Sequence, residues 1–212
     1  MIFALVGVVG ANVSCSNPNE SDLPLHALGL GTPVVTGLYI TGPNGPEALA
    51  VWGQPSDPPP QGPRLLFPPP PQLSYYAFSP PYPNPLDGET VVKFDVKFLD
   101  HAPGLPTQSV VSLWIVRARW VQSVNPDVVS ISGGMVPAPN SGAIRTLRHN
   151  EAMFPGHYSA NWNGRDDNGD LVPAGFYRIY FQANDFTSWY DMFLYRSLND
   201  LPGDLREIVV NR

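Results

Sequence analysis

Cysteine is almost absent: Cys15 is the only one in 212 residues, so no internal disulfide staples this fold and no second thiol completes a cysteine-based zinc site. Charge is scarce as well. Only 14% of residues are Asp, Glu, Lys or Arg, and Lys93 and Lys97 are the sole lysines among 12 basic residues that face 18 acids, for a net charge of −6. That balance offers no basic field to nucleic acid or to anionic lipid. The four histidines, His26, His101, His149 and His157, lack HExxH spacing, no serine sits in a Gly-x-Ser-x-Gly elbow, and phosphate-binding glycine patterns are missing. The apolar run at 1–10 falls far short of the roughly 20 residues that span a bilayer. What the chain does have is 26 Pro, 19 Gly and 43% hydrophobic residues, enough apolar material for one sizeable core with appendages.

The proline is unevenly spread. Eighteen of the 26 lie before residue 86, where the only charged side chains are Glu20, Asp22, Glu47, Asp57 and Arg64. Runs such as Asp57-Pro58-Pro59-Pro60 and Phe67-Pro68-Pro69-Pro70-Pro71 lack donors and hold φ near −65°, which favours an extended polyproline rod. Residues 16–78 therefore read as a Pro-rich arm. It carries Leu65, Leu66, Phe67, Tyr75, Tyr76 and Phe78 with little charge to keep them in water, so it is expected to lie on a surface. That surface is either the arm's own domain or another protein, because a rigid rod loses little entropy on docking. Within it, 34–40 and 48–52 suit two short strands of a hairpin around Gly42-Pro43-Asn44-Gly45-Pro46.

The apolar residues at 1–10 also suit the h-region of a secretory signal. They end in a small-residue zone directly before Cys15, and a polar tether follows. This placement resembles the lipid-attachment cysteine of bacterial lipoproteins, which implies a membrane anchor at Cys15 and an extracytoplasmic location. A plainly secreted chain and a chance apolar start are the other readings.

The second half reads as all-β. Residues 90–99 alternate strictly, with Val92, Phe94, Val96 and Phe98 on one face and Val91, Lys93, Asp95 and Lys97 on the other, the signature of a half-buried strand. Residues 109–117 are apolar on both faces and β-branched, as in a central strand. Further candidates are 128–132, 144–149, 157–162, 175–183 and 188–195. About seven strands with breakers between them, and no convincing helix, point to an antiparallel sandwich.

Tyr82-Pro83-Asn84-Pro85 precedes the first of these strands. Later come Trp162-Asn163-Gly164-Arg165-Asp166-Asp167-Asn168-Gly169, then Val172-Pro173-Ala174-Gly175-Phe176-Tyr177, and Ala183-Asn184-Asp185-Phe186. Over about 79–196 this pattern resembles the FlgD-type immunoglobulin-like domain of bacterial secreted and surface proteins. The resemblance implies an immunoglobulin-like sandwich that is not catalytic and serves support, presentation or assembly, with 197–212 as a C-terminal extension. The motif also has a local reason: Asn163-Gly164 and Asn168-Gly169 accept positive φ, Asp166 and Asp167 accept backbone N–H groups, Trp162 anchors the turn, and Gly175 lets the next strand, with Tyr177, leave the Pro173 corner.

Chemistry is thin by comparison. An EF-type calcium loop ending in Gly169 needs oxygen ligands at 164, 166 and 168 and a Glu at 175, but 164 and 175 are glycine. No metal, cofactor or catalytic residue is expected; Glu151 beside His149 and His157 is the one acid–base arrangement that can be drawn. Trp189, Tyr190, Phe193 and Tyr195 make the final strand apolar on both faces, so either it is buried twice or one face is an interface, with sugar stacking on its Trp or Tyr rings as a third possibility. The expectation is a non-enzymatic extracytoplasmic accessory or structural subunit whose arm and loops dock onto a larger membrane-associated protein complex. A surface polysaccharide-binding module is the alternative, and a hydrolase the least supported.

Overall fold

The computed structural model describes residues 32–55, 74–98, 108–121, 141–184 and 186–211. Two antiparallel sheets face each other. One has three strands in the order β4 (Ser74–Phe78), β5 (Thr90–Phe98) and β9 (Gly156–Trp162). The other has four, in the order β11 (Phe186–Leu194), β10 (Gly175–Ala183), β6 (Ser109–Arg117) and β8 (Ala143–Met153). The protein is thus an all-β sandwich of seven strands. Period-two alternation fills the interior: Val92, Phe94 and Val96 from β5 meet Leu113 and Ile115 from β6 and Ile179 and Phe181 from β10, every one at most 1% exposed.

The sandwich begins earlier than the motif at 82–85 suggests. Strand β4 lies inside the stretch read as an arm, and its Tyr76 and Phe78 are 8% and 3% exposed within the main core. Phe78 stacks on Phe181 with ring centroids 5.2 Å apart. These two side chains are therefore interior packing and are withdrawn as partner contacts; Tyr75 belongs to the same strand, opposite Lys97. Leu65, Leu66, Phe67, Cys15 and the strand expected at 128–132 lie outside the described residues.

The rest of the described arm forms a second layer. Strand β2 (Gly37–Thr41) pairs antiparallel with β3 (Ala48–Gly53) as a hairpin, and β1 (Val34–Val35) runs parallel to β7 (Arg119–Trp120). They cover the outward face of β10 and β11 together with helix α1 (Gly203–Val210), an element the sequence pattern did not suggest. Val35, Leu38, Ile40 and Trp52 enclose Phe193, with Leu201 and Leu205 closing the cluster. Trp52 stacks on Phe176, centroids 5.7 Å apart. The last strand is thus buried on both faces, and the segment after residue 196 docks as part of the fold.

Polar groups fix how this layer sits. The Tyr82–Pro83 and Asn84–Pro85 peptide bonds are both cis, and Asn84 between them is fully buried. Its Nδ2 donates to the carbonyls of Tyr39 (2.9 Å) and Asp191 (3.0 Å), and its Oδ1 accepts from the Phe193 N–H (3.1 Å). Its backbone exchanges hydrogen bonds with Thr41. Nearby, Arg178 and Asp191, directly opposite across β10 and β11, form a bidentate ion pair at 2.6 and 2.9 Å, and the guanidinium also donates to the Val34 carbonyl at 2.9 Å. Burial alone pushes the Arg178 guanidinium down, but the Asp191 carboxylate reverses this and holds it above its ordinary value.

Asn84→Ala leaves two carbonyls and one N–H without their partner in a dry layer, at about 1–3 kcal/mol each. The expected loss is about 3 kcal/mol or more by urea denaturation, with amide exchange in β2 accelerated before that in β5. A loss under about 0.5 kcal/mol, the range of a neutral surface change, contradicts this role for Asn84.

Candidate functional site

The Trp162–Tyr177 motif closes one end of the sandwich. Trp162 is 1% exposed; its indole N–H donates to the Arg165 carbonyl at 2.8 Å and its ring meets Tyr177 edge-on at 5.2 Å. The Tyr177 hydroxyl donates to the Pro173 carbonyl at 2.5 Å. Gly164 turns the chain at φ 68°, and its carbonyl accepts from Val172 N–H (3.1 Å) and the Arg196 guanidinium (2.8 Å). The backbone therefore requires glycine, and a Cβ at 164 would also sit 2.8 Å from that guanidinium, which would have to shift off the Gly164 carbonyl. Gly169, at φ 88°, makes the second reversal.

The aspartates are bound into this turn. Asp166 Oδ1 accepts from the N–H groups of Asn168 and Asp170, both at 2.9 Å. Both Asp167 carboxylate oxygens accept from the Thr146 N–H, at 2.9 and 3.2 Å, and its Oδ1 lies 3.5 Å from the Arg145 guanidinium, which donates to the Asp166 carbonyl at 3.1 Å. These contacts pin the loop to β8. Among the described residues no three His, Cys, Asp or Glu side chains gather as a metal site.

Beside the loop lies an open cleft of about 440 Å³, lined by Arg117, Ile144, Asp167, Leu171, Val172 and Tyr177 among others. Leu171 is 58% exposed yet held in place by a β-bridge to Arg165. Arg117 continues the inward row of β6 after Val111, Leu113 and Ile115, all fully buried, and stands opposite Tyr177 across the sheet. Arg117 is half-buried, with its guanidinium 3.9 Å from the Cβ position of Gly175, and forms no hydrogen bond or ion pair with the described residues. Burial raises the Tyr177 phenol above its ordinary value, and the charges of Arg117 and Arg196 partly counter this.

The arrangements read as chemistry from the sequence come apart here. Glu151 pairs with Arg148 at 2.8 Å, whereas His157 pairs with Asp95 at 2.7 Å on the other sheet. They do not form one acid–base pair. Trp189 is 6% exposed beneath the Arg178 guanidinium, 5.3 Å from its ring, so it provides no platform for a sugar. Arg117 and Leu171 were not singled out in advance. The signal for Arg117 was a charge in the inward row of an otherwise apolar strand.

No protein-family model matches the chain, and no curated protein matches it. Among solved structures, the sensor domain of the anti-sigma factor RsgI4 in Pseudobacteroides cellulosolvens is similar at 16% identity and a TM-score of 0.35, over 59% of this chain and 97% of that one. A likeness at that level identifies no family.

Two outcomes follow from the site's geometry. Gly164→Ala places a side chain in the left-handed region against Arg196 and should cost about 1–2 kcal/mol in thermal unfolding; Asn163→Ala, beside it, should not. Second, Tyr177 and Tyr180 both have raised phenol values, burial being the largest cause in each. The folded state therefore favours the protonated phenol, a contribution fully present below pH 10 and lost as pH rises through the folded-state value. Ultraviolet titration should show late-ionising phenols, one of them removed by Tyr180→Phe; ionisation of both at the ordinary value in the native protein refutes this.

Proposed function

We propose that this protein is a non-enzymatic, extracytoplasmic accessory or structural subunit that docks onto a larger membrane-associated protein complex. The observation that carries the reading is the cleft. Its aspartates are engaged with backbone amides, while a rigidly held, exposed Leu171 and a half-buried Arg117 without a hydrogen-bond partner among the described residues line it. Such a surface suits recognition better than reaction, since catalysis asks for a positioned acid, base or nucleophile at the reacting atoms. The resemblance to FlgD-type domains, whose role is assembly, supports the same reading, and the lipoprotein-like placement of Cys15 supports attachment at a membrane surface. Leu65, Leu66 and Phe67 stay in the proposed docking surface; Tyr76 and Phe78 do not. Polysaccharide stacking loses Trp189, which is interior, as a platform.

Native purification from membranes tests the proposal. The intact chain is expected to co-purify in fixed ratio with a protein assembly, and mass spectrometry is expected to find a lipid-modified Cys15 at the mature N-terminus. Leu171→Asp, and separately a Leu65, Leu66 and Phe67 triple serine variant, should keep the wild-type melting temperature and reduce the associated fraction by about tenfold, the cost of placing a charge or lost apolar contact in a docking surface. Full retention of the assembly by both variants, or hydrolase activity abolished by Glu151→Ala, sinks the reading.

A further inference from the structure

The open end of the sandwich holds a charge that no hydrogen bond or ion pair among the described residues uses. Arg117 sits where the inward row of a central strand calls for an apolar residue, next to the buried ring of Tyr177. A half-buried guanidinium without a counterion is costly, and its fork geometry suits a carboxylate held by two parallel hydrogen bonds. The other charges around the cleft leave that geometry unspent. Asp166 directs Oδ1 to the amides of Asn168 and Asp170, Asp167 directs both oxygens to the Thr146 amide, Arg145 lies against Asp167, and Arg196 is engaged with the Gly164 carbonyl. Of the remaining walls, Ala143, Ile144, Leu171, Val172 and Pro173 are apolar and Asn168 is polar, and among the described residues no exposed aromatic ring lines the cleft. An anion with an apolar neighbour fits these walls better than a sugar, which calls for a ring to stack on.

We infer that this cleft is a peptide-binding site that takes an Asp or Glu carboxylate on Arg117 and the apolar side chain beside that acid against Leu171, Ile144 and Val172. The inference rests on the docking role proposed above and names the chemistry its partner presents. Charge complementarity selects the acid, and the cleft volume of about 440 Å³ admits one or two side chains rather than a folded domain.

The test uses the full chain and acetylated, amidated hexapeptides with a central Leu-Asp pair, their Leu-Asn twins, and trigalacturonate as an anionic sugar, titrated by nuclear magnetic resonance. Leu-Asp peptides are expected to shift the Arg117 Nε–H and the amides of Asn168 and Leu171, with affinity falling as salt rises. Arg117→Met and the Leu-Asn twins should each lose about tenfold or more, and Arg117→Lys less. The melting temperature of Arg117→Met should equal or exceed that of wild type, because the charge makes no hydrogen bond or ion pair among the described residues; a marked fall makes Arg117 a structural residue and overturns the site. Equal binding of Leu-Asp and Leu-Asn peptides, unchanged affinity in Arg117→Met, or no binding of any peptide by about 1 mM also overturns it. Arg117-dependent binding of trigalacturonate alone replaces the peptide with an anionic glycan and refutes the inference. If Arg117→Met binds peptides normally while Leu171→Asp still releases the native assembly, the docking role stands and only this assignment falls.

Discussion

A sheet that is apolar on both faces must be covered twice, and the rest of this structure follows from that constraint. In β10, Tyr177, Ile179 and Phe181 point into the sandwich while Phe176 and Tyr180 point away from it, and β11 repeats the pattern with Met192 and Leu194 against Trp189 and Phe193. The three-stranded sheet covers one side. On the other, part of the cover comes from the two ends of the described chain: the 34–53 region and α1. A two-stranded hairpin is marginal in water by itself. Here Trp52, Leu38 and Ile40 each contribute about 1.5–3 kcal/mol by burial, so the hairpin owes its order to the sheet that it covers. The stretch that looks like a free arm by composition belongs in large part to one packed unit.

Apolar covering alone does not set register, since hydrophobic contact has no direction. Direction comes from two buried polar groups. Asn84 joins carbonyls of β2 and β11 to its own amide, and Arg178 joins Asp191 to the Val34 carbonyl. A one-residue slip of β2 would leave these groups unpaired and turn Leu38 and Ile40 outward. A buried ion pair is weak evidence of net stability; its evident effect here is to admit one seating of the cover.

How much of this the sequence shows depends on the range of the interactions. Strands β5, β6, β9, β10 and β11 are legible because period two is a local signal. Strand β4 is hidden by its prolines: five residues beside Pro80 and Pro81 look like more arm, though Tyr76 and Phe78 already alternate. The two-faced apolarity of the last strand is visible, but the identity of its cover is not, because Leu38 and Phe193 are separated by most of the chain. Asn84 is legible as a motif residue and not as a joint, since its partners lie 45, 107 and 109 positions away. The turn chemistry of Asp166 and Gly164 is readable in advance because it closes within ten residues.

Arg117 and Arg178 make a controlled contrast within one sheet. Both interrupt apolar rows, on opposite faces. Arg178 is met by a carboxylate directly across the strand pair, at 2.6 Å and 3% exposure, and is absorbed into the structure. Arg117 has two aspartates lining the same cleft, yet Asp166 through Oδ1 and Asp167 through both oxygens bond backbone amides of a turn that asparagine or serine could also have closed. Among the described residues, then, Arg117 lacks a partner although acids stand nearby. An apolar residue at 117 would complete the inward row of Val111, Leu113 and Ile115, so the guanidinium there answers to no packing demand of the described core, whereas that of Arg178 is bound into the seating of its cover.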